Sequence, residues 1–168
     1  YLRKEYQAYR MLNLMTEASY RVRWLSVTYR DPKGKKLRTQ AAFLIEHKSR
    51  VADRLHLDTV DEERISRAEL DPDHATRAAL FNYFIGNADF SIIAGKEGSC
   101  CHNAKLLRAD DESPYVPVIY DFDSSAGFGG WTPLNRCPMP RKFRRMQSFA
   151  PITRHTFLDV RASFFDPI

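Results

Sequence analysis

The stretch over residues 80–91, LFNYFIGNADFS, constrains the fold more than any other part of this 168-residue chain. Its apolar first half predicts a buried helix. Gly86 stands where that helix should end, because glycine adopts the left-handed turn of a C-cap without a Cβ clash. The polar second half then places Asn87 and Asp89 at the rim of the core. We expect Asn87 to shape the loop by bonding nearby backbone.

Hydrophobic periodicity and turn residues predict the elements around this stretch. Asp71 followed by Pro72 is typical of an N-cap and first turn, so the central helix should begin there. The charged segment 58–70 is expected to be a surface segment, and an α+β fold follows. The predicted helices cover residues 1–15, 49–57 and 71–85, and the predicted strands cover 21–29, 38–46, 103–107 and 115–120.

The charge distribution divides the chain into two parts. Residues 1–125 contain 19 Lys/Arg and 19 Asp/Glu, whereas residues 126–168 contain 7 Lys/Arg and 2 Asp and so supply the net charge of +5. Residues 1–125 lack the grouped basic and aromatic residues that are typical of a nucleic-acid-binding surface. We therefore predict no nucleic-acid partner. No apolar run reaches the length of a membrane span. The domain should end near residue 125, and the Pro- and Arg-rich tail carries no structural prediction.

The cysteines give a weak signal. Three of them, Cys100, Cys101 and Cys137, are too few for a disulfide scaffold, and the adjacent pair lacks the spacing of a zinc site. We expect plain small residues beside a loop, and a bridge to Cys137 or to another segment is the alternative.

Three polar clusters lie beside apolar elements in this sequence. They contain Asp89, then His102 and Asn103, then Asp121 and Asp123. Phosphoryl transfer uses a carboxylate to orient or deprotonate the attacking hydroxyl, together with an amide oxygen and a carboxylate that hold Mg²⁺. Hard oxygen ligands favour Mg²⁺ over zinc. Asp and Asn are also common turn residues, so simple loop caps are the alternative. For His102 the alternatives are a metal or phosphate contact and a hydrogen bond to loop backbone.

The segments GNAD (86–89), CHNAKLL (101–107) and YVPVIYDFD (115–123) resemble the atypical protein-kinase-like family of CotH and HipA-type bacterial kinases. The resemblance covers about residues 1–125. It implies a partial N-lobe, made of a helix and a β-hairpin, over a helical lobe whose short strands carry the active-site loops. It also implies that Asp89 is the catalytic aspartate, that Asn103, Asp121 and Asp123 bind metal, and that ATP and Mg²⁺ are the cofactors.

The resemblance further implies that four residues lie near the nucleotide: Glu5 on the first helix, and Glu46, His47 and Lys48 at the end of AFLIEHKS (42–49). A solvated position at the rim or strand end is the alternative for these residues. The chain departs from the family in having no glycine-rich loop and no candidate for the nucleotide-binding lysine. Asn103 also follows Asp89 by fourteen positions instead of about five. We therefore expect an incomplete domain that binds nucleotide poorly by itself.

The leading hypothesis is a kinase-like phosphotransferase that acts on an unknown protein or small-molecule acceptor. A metal-dependent phosphoesterase using Asp89, His102, Asn103 and Asp121 is a second hypothesis, and it would need two metal ions. A non-catalytic pseudokinase or interaction module is the third. Because such relatives are often exported, the resemblance implies a periplasmic or secreted setting.

Overall fold

The computed structural model describes residues 2–95 and 98–125, and these form an α+β fold, as predicted. Residues 126–168, for which we made no structural prediction, lie outside the described residues. Within the described part, no helix has the length and apolar character needed to cross a membrane. The helices are α1 (Leu2–Met15), α2 (Lys48–Leu55) and α3 (Pro72–Phe84), and the strands are β1 (Val22–Arg30), β2 (Lys36–Ile45), β3 (Asp58–Val60), β4 (Ala104–Arg108) and β5 (Val116–Ile119).

The first sheet is the predicted hairpin of β1 and β2. The two strands pair antiparallel, and Trp24 lies opposite Phe43. Asp31 stabilises the connecting turn, since its carboxylate accepts hydrogen bonds from the backbone N–H groups of Lys33 and Lys35 at 3.0 and 2.8 Å. Helix α1 packs on this hairpin through Tyr6, whose ring lies 5.2 Å from that of Trp24.

The second sheet has the order β3-β4-β5 and is antiparallel throughout. Strands β4 and β5 were predicted, but β3 was missed because the whole segment 58–70 was expected to lie on the surface. That prediction was partly wrong: Asp58 pairs with Arg108, and the apolar side chains of Ile65 and Leu70 are buried. The few apolar residues of this segment are spaced irregularly among charged ones, so they give no periodicity, although two of them suffice to dock the segment.

Helix α3 begins and ends as the sequence predicts. The Asp71 carboxylate accepts a hydrogen bond from the His74 backbone N–H at 2.8 Å, and Pro72 occupies the first helical position. The helix ends at Phe84, and Gly86 adopts the left-handed φ of 67°. Helix α3 packs against β5, and its C-terminal part reaches the loop after β5, where Phe81 contacts Phe122.

An aromatic cluster fills the space between α1, α3 and the loop after β5. The ring of Phe122 lies 4.7 Å from that of Tyr9 and 5.4 Å from that of Phe81, and all three residues are almost fully buried. Burial of each aromatic side chain contributes roughly 2–3 kcal/mol, so this cluster is a major part of the core. It fixes the start of the loop that carries Asp121 and Asp123.

Candidate functional site

The loop after α3 is shaped by a buried pair of amides. Asn87 and Asn82 are fully buried, and the Asn87 Nδ2 donates a hydrogen bond to the Asn82 Oδ1 at 2.9 Å. The Asn87 Oδ1 accepts the backbone N–H of Asp89 at 3.0 Å. The predicted loop-shaping role of Asn87 is therefore confirmed. This buried pair fixes the Asp89 backbone, whereas the Asp89 carboxylate itself is exposed.

Asn103 connects this loop to β5. Its Nδ2 donates to the Asp89 carbonyl oxygen at 2.7 Å, and its own carbonyl accepts the Tyr120 N–H at 3.0 Å. Its backbone is left-handed, with φ 54°, a conformation that asparagine tolerates better than most residues. Since Nδ2 is turned to Asp89 and the Oδ1 has no hydrogen bond within residues 2–95 and 98–125, the amide oxygen is available to a ligand.

Asp121 follows β5 in a second left-handed conformation, with φ 61°. Its backbone N–H donates to the Tyr9 hydroxyl on α1 at 2.9 Å. The next residue, Phe122, is held in the aromatic cluster described above, and Asp123 then lies on the surface. The structure therefore brings the three predicted clusters, at Asp89, Asn103 and Asp121, to neighbouring loop ends.

Three carboxylates, those of Glu5, Asp89 and Asp123, lie within electrostatic reach of Asp121. We call Glu5, Asp89, Asp121 and Asp123 the acidic cluster. Burial is the largest cause that raises the pKa of Asp121, and the negative charges of Asp123 and Asp89 raise this pKa further. Burial likewise raises the pKa of Glu5, and Asp121 and Asp123 add to it. The charged neighbours behind both pKa shifts are themselves carboxylates, so a cation placed among them would be stabilised.

His102 was expected to contact metal, phosphate or loop backbone, but its side chain contacts Asp89. The His102 Nε2 lies 2.8 Å from the Asp89 Oδ1. Ser91 and His102 exchange two backbone hydrogen bonds, of 2.8 and 3.0 Å, and this bridge brings the two loops together. A single bridge between irregular segments leaves no periodic signal, so sequence reasoning missed the contact. It also missed Tyr9, which looked like an ordinary core residue of α1.

The cysteine prediction requires a correction. Cys100 and Cys101 form a disulfide with each other, whereas the sequence suggested plain small residues. Spacing rules for cysteines concern pairs separated by other residues, so they gave no signal for a bridge between neighbours. Cys137 lies outside the described residues.

The three nucleotide-site candidates at the end of the hairpin all have partners within the fold. The Glu46 carboxylate accepts a hydrogen bond from Arg54 at 3.0 Å; burial would raise its pKa, but this bond and one from the Arg21 N–H lower it. His47 caps α2 by accepting the Ser49 N–H through Nδ1 at 3.3 Å. Lys48 lies 3.5 Å from Asp61. Glu5, on α1, has no ion-pair partner within the described ranges.

The described residues offer few side chains that could together bind a metal ion. Among residues 2–95 and 98–125, no three His, Cys, Asp or Glu side chains are placed as a metal-binding group. Asn103 and Asp121 nevertheless fit Mg²⁺ chemically, because Mg²⁺ takes one or two protein ligands and completes its octahedron with water and phosphate oxygens.

No protein-family model, no curated protein and no solved structure matches this chain at a significant level.

Proposed function

We propose that this chain carries the phosphotransfer site of a kinase-like enzyme that uses Mg-ATP. The observation that supports the proposal is the meeting of Asp89, Asn103 and Asp121 at neighbouring loop ends, with Asn103 bonded to Asp89 at 2.7 Å. Loop ends held by a rigid core are where catalytic side chains are usually found. The proposed architecture is a partial kinase-like fold in which α1 and the β1–β2 hairpin are the remnant of an N-lobe.

In this proposal each residue has a distinct role. Mg-ATP, when bound, supplies the phosphoryl group that is transferred. Asp89 orients the acceptor hydroxyl and accepts its proton, and the exposed carboxylate leaves room for an acceptor to approach. The Asn103 Oδ1 and the Asp121 carboxylate would hold the metal, with Asp123 beside them.

Glu5 contributes through charge. Its carboxylate repels Asp121 and Asp123, and Mg²⁺ or a cationic side chain would offset that repulsion. Glu46, His47 and Lys48 are already bonded within the fold, so their proposed place near the adenine rests on the family resemblance and on the position of the β2 end.

Calorimetry with ATP, in the presence and absence of Mg²⁺, tests the proposal on the full chain. Because the domain is expected to be incomplete, we expect weak binding that depends on Mg²⁺, and Asp121→Asn should weaken it at least tenfold further, because one metal ligand loses its charge. Asp58→Asn is the matched control, since it removes one carboxylate charge from an exposed residue of β3. It should bind as the unaltered chain does.

Each other outcome decides against the proposal. Binding that is equal with and without Mg²⁺, or unchanged in Asp121→Asn, would favour a non-catalytic pseudokinase. Hydrolysis of phosphate monoesters that requires Asp121, in a protein that does not bind ATP, would favour the metal-dependent phosphoesterase. Absence of both binding and hydrolysis would refute phosphate chemistry at this site.

A further inference from the structure

We propose that His102 is a positioning residue that fixes the Asp89 carboxylate in one orientation, and this inference rests on the proposed role of Asp89. The Asp89 side chain is 55% exposed, so few packing contacts restrict its rotation. Two side chains from the 101–103 turn contact it instead. His102 lies 2.8 Å from Oδ1, and the Asn103 Nδ2 lies 3.4 Å from Oδ2.

The two contacts leave the carboxylate oxygens unequal. A carboxylate oxygen only accepts hydrogen bonds, so the His102 Nε2 must carry the proton and donate it to Oδ1. Oδ2 has only the long contact to Asn103, whose Nδ2 is bonded more closely to the Asp89 carbonyl. Oδ2 therefore remains available to an acceptor hydroxyl, while Oδ1 serves to hold the group.

The His102 ring can hold Asp89 because its own backbone is held. The two hydrogen bonds with Ser91 tie residue 102 to the segment that follows Asp89. On the preceding side Cys100 is buried, and its N–H donates to the Glu62 carbonyl. Gly95 lies so close to this turn that a Cβ there would collide with the Ser99 carbonyl. The backbone of this turn is thus held in place, and the His102 side chain can therefore orient the Asp89 carboxylate.

A second aspartate–histidine pair shows why this contact is unusual. His74 lies 2.7 Å from Asp71, but the pair is local, and Asp71 already serves as the N-cap of α3. The Asp89–His102 contact instead joins two segments thirteen positions apart. Misplacement of a reacting group can lower a rate by about a hundredfold, so a contact that orients Asp89 should raise the rate of group transfer.

The direct test is the Asp89 side-chain rotamer, measured in solution by NMR through its three-bond couplings to Cγ. We expect a single χ1 rotamer in the unaltered chain, averaged couplings in His102→Ala, and a single rotamer again in His102→Gln, whose amide nitrogen can reach Oδ1. His74→Ala is the matched control and should leave the Asp89 couplings unchanged. A single Asp89 rotamer in His102→Ala would overturn the inference.

Kinetics then separates the inference from the proposed function. If Asp89→Asn abolishes phosphoryl transfer, His102→Ala should lower kcat by about ten- to a hundredfold with little change in the KM for ATP, and His102→Gln should recover part of the loss. An unchanged kcat in His102→Ala would refute the positioning role. If the unaltered chain transfers no phosphoryl group, the proposed function fails, and the NMR measurement still decides whether His102 orients Asp89.

Discussion

Tyr9 and Asp121 are 112 positions apart in the sequence, and one hydrogen bond, from the Asp121 N–H to the Tyr9 hydroxyl at 2.9 Å, joins them. Tyr9 is almost fully buried, and burial raises the pKa of its hydroxyl, which therefore stays protonated. The same ring packs on Phe122. Helix α1, which also carries Glu5, is thus attached directly to the loop that carries two of the four carboxylates of the acidic cluster.

Tyr9→Phe should remove this attachment and keep the ring packing. Because the Asp121 N–H loses its acceptor, we expect the free energy of unfolding to fall by about 1–2 kcal/mol in urea denaturation. Tyr6→Phe is the control: its ring packs on Trp24, and its hydroxyl makes no hydrogen bond within the described ranges, so the variant should stay within about 0.5 kcal/mol. Equal losses in the two variants would show that the Tyr9 hydroxyl does not hold the loop.

Arg54 joins α2 to two other segments, and its loss should be costly. Its guanidinium donates to the Glu46 carboxylate at 3.0 Å and to the carbonyls of Glu17 and Ser19 at 2.8 and 2.9 Å. The side chains of Arg54 and Glu46 are only 16% and 13% exposed. We expect Arg54→Met to lower the free energy of unfolding by about 2–4 kcal/mol, because it leaves a mostly buried carboxylate without its cation.

Lys48→Met is the matched control for Arg54→Met. It also removes one positive charge from α2, but its ion pair with Asp61 is 33% and 78% exposed. Such exposed pairs contribute less than about 1 kcal/mol. Thermal or urea denaturation of both variants measures the difference. A loss in Arg54→Met no larger than in Lys48→Met would mean that water replaces the Arg54 contacts.

The sequence predicts the parts of this fold that repeat or that need a special residue. The two ends of α3, at Asp71 and Gly86, each follow from one local rule, and both are confirmed. The three polar clusters seen in the sequence contain Asp89, Asn103 and Asp121. The fold brings these three residues together.

Contacts between irregular segments could not be predicted in the same way. The Asp89–His102 pair depends on a single bridge between two loops, and the Tyr9–Asp121 bond depends on the packing of α1 against the loop after β5. Strand β3 has only three residues, too few for a period-two pattern to stand out among charged neighbours. These contacts are set by tertiary packing, which no local residue rule encodes.

Asp121 and Glu5 should give the fold a stability that falls as pH rises, and the sign follows from the pKa shifts of these two groups. The folded chain holds the Asp121 and Glu5 protons more tightly than the unfolded chain does, because burial and neighbouring carboxylates raise both pKa values. Stability from these groups is therefore lost as pH rises from the ordinary carboxyl value, roughly 4, through the raised values. Glu46 has the opposite sign, since its pKa is lowered and its contribution is lost as pH falls.

Urea denaturation of three variants between about pH 3.5 and 7 checks these signs. Asp121→Asn should be more stable than the unaltered chain at pH 7, and the difference should shrink toward pH 3.5, where the native carboxyl is protonated. Glu46→Gln should be less stable at pH 7, and its deficit should shrink in acid. Asp58→Asn, on exposed β3, should follow the unaltered chain throughout. If Asp121→Asn is destabilising at pH 7, the Asp121 charge is already balanced by a cation in the folded protein, and the acidic cluster does not repel itself.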